Sequence, residues 1–282
     1  MLEKTLFISD LDGTLLNEKK ILSPYTVSTL EKLINNGIKF SYATAREYVS
    51  SRSITSFFNF KAPVIVGNGT YIMDVETDKP LIKNLLTKND ISDIRAMFAD
   101  LHYTSSPLIF SRIGEENKIL WNMQNSDIYS RFPPMPNEKR FLGVASDDEA
   151  YVGDISSVTL IDSKENLQPL YQSFSQNPNL TCVFSKNAYD DNYFFYIMSC
   201  KADKDKALLQ LKELLDCERI VCFGDEANDI SMFKIADECY AVANAIDEIK
   251  SMATEIIPAN YEDGVAVWLN NNIMEEISER AI

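Results

Sequence analysis

Two aspartates, one residue apart at the end of a short apolar run, constrain this chain more than any other feature. Asp10-Leu11-Asp12-Gly13-Thr14 follows Leu6-Phe7-Ile8 closely, and an apolar run that ends in a turn predicts a buried β-strand. Alternate side chains of an extended segment point the same way, so both carboxylates can face one ligand. Neighbouring carboxylates resist burial unless a cation or a shared proton offsets them. The motif therefore predicts a functional site at the carboxyl end of this strand, where open α/β sheets bind ligands.

The two ends of the chain alternate strands and helices, which predicts a parallel sheet with helices on both faces. Near the N-terminus the predicted order is strand 6–8, helix from Ser23-Pro24 to about Asn36 with Gly37 after its end, strand 39–43, helix 47–58 and strand 64–66. Toward the C-terminus it is helix 204–215, strand 220–223, helix 229–236, strands near 240–242 and 256–257, and a terminal helix from about 265.

The middle of the chain has a different pattern, with predicted strands at 108–111, 118–121, 158–161, 181–185 and 193–198 and helices at 90–101 and 165–174. A loop marked by Pro133, Pro134 and Pro136 lies between them. Because core strands lie on both sides of this segment, we interpret it as an α+β insertion. The predicted boundaries are 1–82 and 200–282 for the core and 83–199 for the insertion.

Composition excludes several classes of function. The 282 residues carry 42 acids against 27 Lys and Arg, a net charge of −15, which argues against non-specific nucleic-acid binding. There is no signal peptide pattern and no apolar run of about 20 residues, so we expect no membrane partner. The five cysteines lack CxxC spacing and indicate free thiols of a reducing compartment. We therefore expect a cytoplasmic protein.

Four short stretches, in order along the chain, resemble the motifs of haloacid dehalogenase (HAD) superfamily phosphatases of the Cof-like branch. They are Asp10-Leu11-Asp12-Gly13-Thr14, Ala43-Thr44-Ala45-Arg46, Lys204 at a helix start, and Gly224-Asp225-Glu226-Ala227-Asn228-Asp229-Ile230. Asn68-Gly69, Asn244-Ala245 and Glu262-Asp263-Gly264-Val265 also match pieces of such proteins. The resemblance implies an α/β fold, with a Rossmann-like doubly wound parallel sheet core and an inserted α+β cap domain of type IIB.

The resemblance also implies a reaction. Asp10 would be the nucleophile that forms an aspartyl-phosphate, which splits one hard hydrolysis into two easier steps. Asp12 would protonate the leaving group and then deprotonate the attacking water, a role worth about 10²–10⁴-fold. The substrate would be a small phosphate ester, with a sugar phosphate as the usual choice of such enzymes.

Binding roles follow from the same resemblance. Mg²⁺ would be held by Asp10, the backbone carbonyl of Asp12 and Asp225, with Asp229 in support. The phosphate ligands would be Thr44, the Ala45 N–H, Lys204 and Asn228. Ala45 replaces the usual Gly, and the N–H survives this change unless the site needs a positive φ.

Several of these residues have simpler interpretations. Arg46 could contact the substrate or form a structural ion pair, and Asn68 could serve the site or only a turn. Lys204 competes with Lys201 and Lys206, although its spacing to Ala207-Leu208 favours it. The lone histidine, His102, is expected to be structural, which excludes His-based triads and zinc sites.

Substrate choice is expected to lie in the insertion. Lys186 and Asp191, in the loop between residues 185 and 193, are candidate sugar contacts, and the loop at 133–136 is a second candidate. Two other functions stay open at this point. One is phosphoryl transfer to a second substrate, as in a mutase, and the other is a catalytically silent metabolite-binding protein on the same scaffold.

Overall fold

The computed structural model describes residues 2–124, 139–186, 191–274 and 277. It divides the chain into two compact units. The first unit combines Met1–Lys83 with Asp203–Ile282, and the second unit is Asn84–Ala202. The proline loop at 133–136 lies outside the described residues, as does most of the loop between residues 185 and 193.

The described strands, in chain order, are β1 (Thr5–Ser9), β2 (Lys39–Tyr42), β3 (Val64–Val66), β4 (Tyr71–Asp74), β5 (Lys79–Lys83), β6 (Leu108–Ile113), β7 (Glu116–Asn122), β8 (Phe141–Val144), β9 (Asp154–Asp162), β10 (Leu180–Lys186), β11 (Tyr193–Ser199), β12 (Arg219–Gly224), β13 (Glu238–Val242) and β14 (Glu255–Ile257). The described α-helices are α1 (Pro24–Asn35), α2 (Tyr48–Thr55), α3 (Lys88–Asp100), α4 (Asp147–Ala150), α5 (Lys164–Phe174), α6 (Lys204–Leu214), α7 (Ile230–Ile235), α8 (Asp247–Met252) and α9 (Gly264–Leu269).

The first unit is built on a parallel sheet with the strand order β14-β13-β12-β1-β2. Strand β1 lies inside the sheet and pairs with β12 on one side and β2 on the other, both in parallel. All five residues of β1 are buried, as are residues 220–224 of β12, which is the pattern of strands covered on both faces. The predicted α/β class with a doubly wound parallel core is therefore confirmed.

Helix α1 shows how local sequence sets the element ends. The Ser23 hydroxyl accepts a hydrogen bond from the Thr26 N–H, and Pro24 occupies the first turn, where its missing N–H costs nothing. At the other end Gly37 adopts φ +82°, a left-handed conformation that favours glycine. Both ends lie where the sequence predicts them.

One strand pairs differently from the prediction. Strand β3 was expected to extend the parallel sheet, but it pairs antiparallel with β4, which in turn pairs with β5. A single parallel bridge, between Ala43 and Ile65, links it to the β2 segment. Strands β4 and β5 were not predicted. The backbone N–H and C=O groups of β3 form hydrogen bonds with β4, so they do not need a second parallel neighbour.

The second unit is α+β, with a sheet in the order β10-β11-β9-β6-β7-β8. Neighbouring strands are antiparallel except β7 and β8, which run parallel. One face packs on helices α3 and α5, and Phe195 of β11 lies in that core. The other face carries a smaller apolar cluster that includes Trp121 and Phe194. The aromatic run at 193–196 is strand packing, as the sequence suggests.

Two smaller observations bear on function. His102 is exposed just beyond α3 and adopts φ +54°, consistent with a structural position at a helix end. Among the described residues, no helix has the length and apolarity needed to cross a membrane.

Candidate active site

The site lies at the point where the order of strands in the parallel sheet changes from one side of β1 to the other. From β1 the chain proceeds to β2 on one side, whereas β12, on the other side of β1, leads outward to β13 and β14. The loops after β1 and β12 therefore leave the sheet in opposite directions and open a crevice between the two strand ends. Asp10 follows β1 and Asp225 follows β12, and the Asp10 N–H donates to the Phe223 carbonyl at 2.9 Å.

Three carboxylates meet in this crevice. Oxygens of Asp10, Asp225 and Asp229 lie within 4.8 Å of one another, and all three residues are buried. These positions come from chain segments more than two hundred residues apart, which β1–β12 pairing brings together. Asp10 and Asp225, whose carboxylates the sequence predicts as metal ligands, thus lie close together, and Asp229 lies near both.

Lys204, the first residue of α6, is the cation of this cluster. Its Nζ lies 2.6 Å from Asp10 Oδ1 and 2.7 Å from Asp229 Oδ1, and the side chain is 1 % exposed. Lys201 and Lys206, the competing lysines, are exposed. Helix α6 thus directs Lys204 inward, and the buried face of the helix continues through Ala207 and Leu208.

Burial and charge shift the proton affinities of the cluster. Burial raises the pKa of Asp10 well above its usual range, although Lys204 opposes the shift. Burial also raises the pKa of Asp225 to about 7, against the hydrogen bond from Thr14. For Lys204 burial acts to lower the pKa, but the charges of Asp10 and Asp229 outweigh it and the net pKa is raised. Without a further cation, Asp10 and Asp225 therefore hold protons more tightly than usual.

Backbone and hydroxyl groups fix the acids from behind. Asp229 Oδ2 accepts hydrogen bonds from the N–H groups of Asp225 at 3.0 Å and Glu226 at 3.2 Å. The Thr14 hydroxyl donates to Asp225 Oδ1 at 2.5 Å. Gly13, at φ +84°, lies so close to Asp225 that a Cβ there would be 2.2 Å from its Oδ2. The glycine of the first motif is therefore required by both conformation and space.

Two asparagines hold the turn after Asp12, and sequence reasoning assigned neither a role. The Asn244 side chain donates to the Gly13 carbonyl at 2.8 Å, and its own oxygen accepts from the Asn260 N–H at 2.9 Å. The Asn260 side chain donates to the Leu16 carbonyl at 2.8 Å. The Asn244-Ala245 match was the available signal, but these contacts span more than 200 positions and have no local signature.

The second motif lies in the loop between β2 and α2. Thr44 is buried, and its Oγ1 accepts a hydrogen bond from the Arg46 N–H at 3.1 Å. Ala45 does not adopt a positive φ, so alanine in place of glycine introduces no backbone strain here. The Ala45 N–H can therefore serve as a donor, as the sequence analysis requires.

Arg46 forms a two-pronged ion pair with Asp12. Its Nε lies 2.5 Å from Asp12 Oδ2 and its Nη2 lies 2.6 Å from Asp12 Oδ1. Nη1 donates to the Ser50 hydroxyl at 3.2 Å. Of the two interpretations that the sequence leaves open for Arg46, the observed contact is the ion pair.

Asn68 and Asn228 lie next to each other, at a long 3.4 Å between Asn228 Nδ2 and Asn68 Oδ1. Asn68 adopts φ +52° within a short turn, Gly67–Gly69, so its backbone serves the turn. Its side chain, buried beside Asn228, also belongs to the group of polar residues near the site. The backbone therefore confirms the turn, and a role of Asn68 in substrate binding stays a prediction.

The candidate sugar contacts of the insertion pair with each other. Lys186 Nζ lies 3.1 Å from Asp191 Oδ1, and both side chains are largely exposed in the second unit. A pair of this kind contributes little to stability because water competes for both charges. Their suggested role in sugar binding stays a prediction.

The donor set of the crevice suits a hard divalent cation. Asp10, Asp225 and Asp229 offer carboxylate oxygens only, which are the ligands that Mg²⁺ and Ca²⁺ prefer over softer metals. The three acids exceed the one buried lysine in charge, and burial raises the pKa of both Asp10 and Asp225. This acidic trio could therefore hold a metal ion.

Comparison with known proteins agrees with this geometry. A family model described as haloacid dehalogenase-like hydrolase matches residues 7–269. The chain is 24 % identical to 5-amino-6-(5-phospho-D-ribitylamino)uracil phosphatase YitU of Bacillus subtilis, over 94 % of this chain and 96 % of YitU. It is 26 % identical to pyridoxal phosphate phosphatase YbhA of Escherichia coli, over 94 % and 97 %. A solved HAD subclass IIB sugar phosphatase matches with a TM-score of 0.69 at 21 % identity, over 95 % of this chain and 98 % of that one.

The chain belongs to the haloacid dehalogenase-like hydrolase family. With its phosphatase relatives and its fold, it is a phosphatase of the Cof-like branch.

Proposed function

We propose that this protein hydrolyses a small phosphorylated metabolite, in a Mg²⁺-dependent reaction that passes through a phosphorylated Asp10. The observation that supports this most is the buried trio of Asp10, Asp225 and Asp229, which has one buried ammonium group, that of Lys204, among its three carboxylates. Buried charges are tolerated when they are paired or bound to metal. A divalent cation would balance the two charges that Lys204 leaves.

The residues that would hold Mg²⁺ are Asp10, Asp225 and the backbone carbonyl of Asp12, with Asp229 in support. When bound, the ion supplies positive charge that offsets the repulsion between a carboxylate and an anionic phosphoryl group. The chain itself positions two of these acids before any ligand arrives, because the Thr14 hydroxyl holds Asp225 and the Asp225 N–H holds Asp229.

In the first half of the reaction, an Asp10 carboxylate oxygen bonds to phosphorus as the bond from phosphorus to the leaving oxygen breaks. Asp12 gives its proton to that leaving oxygen, so the alcohol departs neutral. Lys204, bound to Asp10 Oδ1, orients the nucleophile and leaves Oδ2 as the oxygen that attacks.

In the second half, a water oxygen bonds to phosphorus while the Asp10–phosphorus bond breaks. The ionised Asp12 takes a proton from that water, which restores both aspartates and releases inorganic phosphate. Thr44, the Ala45 N–H, Lys204 and Asn228 would donate to the phosphoryl oxygens as charge spreads over them.

The substrate is proposed to be a small phosphate ester, with sugar phosphates as the first class to test. YitU and YbhA are named for different substrates, and one solved structure is a sugar phosphatase. Because the relatives differ in substrate, specificity is expected outside the motifs they share. We propose that the second unit, Asn84–Ala202, is the predicted cap and that it selects the substrate.

The test is hydrolysis of p-nitrophenyl phosphate by the purified protein with and without Mg²⁺. Treatment with EDTA should abolish phosphate release, and added Mg²⁺ should restore it. Asp10→Asn should reduce kcat by about 10⁴-fold or more, because the nucleophile is lost. Asp100→Asn, which alters an exposed acid at the end of α3, is the matched control and should leave kcat unchanged.

Activity of Asp10→Asn equal to that of the wild type would overturn the proposed nucleophile. Activity that survives EDTA would overturn the metal requirement. Phosphorus NMR with added alcohols distinguishes release from transfer, and a phosphorylated alcohol in place of inorganic phosphate would overturn hydrolysis. A screen of sugar phosphates and other metabolite phosphates then identifies the substrate class.

A further inference from the structure

The two aspartates of the first motif are held by two different cations. Asp10 is bound by Lys204, inside the buried cluster. Asp12 is bound by Arg46, through both guanidinium prongs, and its side chain is 42 % exposed. In the proposed mechanism Lys204 orients Asp10, whereas Arg46 has no assigned role.

The Asp12–Arg46 pair contributes orientation more than stability. Ion pairs as exposed as this one contribute little to stability, because water competes for both charges. The paired contacts, Nε to Oδ2 and Nη2 to Oδ1, nevertheless fix the plane of the carboxylate, which a single contact would leave free to rotate. A half-exposed side chain in a turn would otherwise sample several rotamers.

Arg46 is itself anchored on several sides. Its N–H donates to Thr44 Oγ1 at 3.1 Å, and its carbonyl accepts from the Gly67 N–H at 2.9 Å. Nη1 donates to the Ser50 hydroxyl at 3.2 Å, which steadies the guanidinium from the first turn of α2. An arginine fixed in this way can transmit a defined position to Asp12.

We propose that Arg46 is a positioning residue that holds the Asp12 carboxyl group where it meets the leaving oxygen of the substrate. The inference rests on the proposed function, in which Asp12 gives a proton to that oxygen. Arg46 then acts through Asp12 and needs no contact with the substrate. Two other roles make different predictions, namely a direct substrate contact and a purely structural ion pair.

The test compares two esters that differ in how much the leaving group needs a proton. p-Nitrophenolate is a weak base and departs with little help, whereas phenolate is more basic and needs the proton more. The quantity to measure is kcat/KM with Mg²⁺, because it reports the steps through departure of the leaving group. Arg46→Gln should lower kcat/KM about 100-fold for phenyl phosphate and about 3-fold or less for p-nitrophenyl phosphate.

A second variant separates geometry from charge. Arg46→Lys keeps the positive charge but loses the fork, so it should show the same selective loss in smaller measure. Arg52→Gln is the matched control, because Arg52 lies six residues on and pairs with Asp78 instead. It should leave the ratio of the two kcat/KM values unchanged.

A double-variant comparison tests whether Arg46 acts through Asp12. Asp12→Asn should show the selective loss by itself, and adding Arg46→Gln to it should cause little further loss. Circular dichroism spectra of each variant establish that it is folded, and Arg46→Lys serves in place of Arg46→Gln if the latter fails to fold.

Four results would overturn the inference. They are equal losses on both esters, a change confined to KM, full recovery of wild-type values by Arg46→Lys, and additive losses in the double variant. Each can occur while Asp10→Asn is inactive, so the proposed function would stand. If Asp10→Asn retains wild-type activity, the proposed function fails first and this inference fails with it.

Discussion

In the second unit, the buried carboxylates of Asp90 and Asp162 accept hydrogen bonds at helix starts and lie in no acidic cluster among the described residues. In the first unit Asp229 also accepts backbone N–H groups at a helix start, but it shares one lysine with Asp10 and lies against Asp225. Asp90 accepts from the Thr87 N–H and hydroxyl, both at 2.8 Å, and Asp162 accepts from the Ser163 N–H at 2.7 Å. These two acids complete helix caps.

The number of donors around a buried acid indicates whether it serves the fold or a functional site. A carboxylate surrounded by donors is stabilised by the fold and stabilises it in return. A group of carboxylates that share one lysine destabilises the fold unless a ligand arrives, and such an arrangement indicates function.

Lys204→Met should have the largest effect, because it leaves three buried carboxylates without their shared cation. Removal of one partner from a buried ion pair costs about 3–5 kcal/mol of unfolding free energy, and loss of a fixed charge in the site should reduce kcat about 10²–10³-fold. Urea denaturation in EDTA and p-nitrophenyl phosphate hydrolysis with Mg²⁺ measure the two effects. Lys206→Met, exposed on the same helix, is the control. Wild-type stability of Lys204→Met would contradict the contrast.

Gly13→Ala and Gly37→Ala form a matched pair. Both glycines have φ near +80°, but a Cβ at Gly13 would meet Asp225, whereas nothing lies within 4 Å of one at Gly37. Both variants should lose about 1 kcal/mol to backbone strain. Only Gly13→Ala should also lose activity, by about 100-fold, since its methyl group displaces a proposed metal ligand. Titration of activity against Mg²⁺ should show a raised requirement, and identical activity profiles for the two variants would contradict the placement of Asp225.

The metal-free protein should lose stability as pH rises. The pKa of Asp225 is about 7 in the fold and near 3.8 in an unfolded chain. The folded state therefore binds more protons between these values, so stability is full below pH 4 and is lost as pH rises through 7. From pH 5.5 to 8 the loss is about 2 kcal/mol.

Thermal melts in EDTA measure this slope, and Mg²⁺ should stabilise the protein more at pH 8 than at pH 5.5, since it competes with protons. Asp225→Asn should reduce the slope and leave the part due to Asp10, whose pKa burial also raises, whereas Asp162→Asn, in a helix cap, should preserve it. A slope that Asp225→Asn leaves intact would show that other groups cause it.

Thr87→Ala should have the smallest effect. It removes the hydroxyl that accepts from the Asp90 N–H at the start of α3, and loss of such a cap costs about 1 kcal/mol. Hydrolysis of p-nitrophenyl phosphate should keep the wild-type kcat, in contrast to the variants of the first unit. Asp93→Asn, exposed on the same helix, should alter neither quantity. A large loss of kcat in Thr87→Ala would contradict the distinction between acids that serve a helix cap and acids that serve the site.

Sequence patterns sufficed to predict the α/β class and the strand ends that carry Asp10, Thr44 and Asp225. Each of these residues follows a short apolar run, and strand ends of a parallel sheet share one edge, so their neighbourhood follows from topology alone. The hairpin of β4 and β5 could not be predicted from the sequence pattern. Its connecting turn contains neither Gly nor Pro, and its left-handed position is taken by Asp78 at φ +56°.

Other features were hidden for different reasons. Helix α8 has six residues and strand β8 has four, which is too short for a period to be recognised. The bond from Thr14 to Asp225 and the pairing of Arg46 with Asp12 depend on side-chain directions in the folded chain. An arginine that binds a substrate and one that binds an aspartate have the same sequence pattern, so the pairing with Asp12 could be found only in the structure.

The pairing of β1 with β12 has a consequence for synthesis of this protein. Thr14 and Asp225 are 211 positions apart, so the ribosome adds all the intervening residues before β1 meets β12, its second neighbour in the sheet. Until then the nascent chain carries β1 with one edge open and Asp10 without Lys204. The whole second unit emerges in the meantime and can fold first. A chain that ends before Asp225 therefore contains Asp10 but neither Asp225 nor Asp229, so it cannot form the acidic trio.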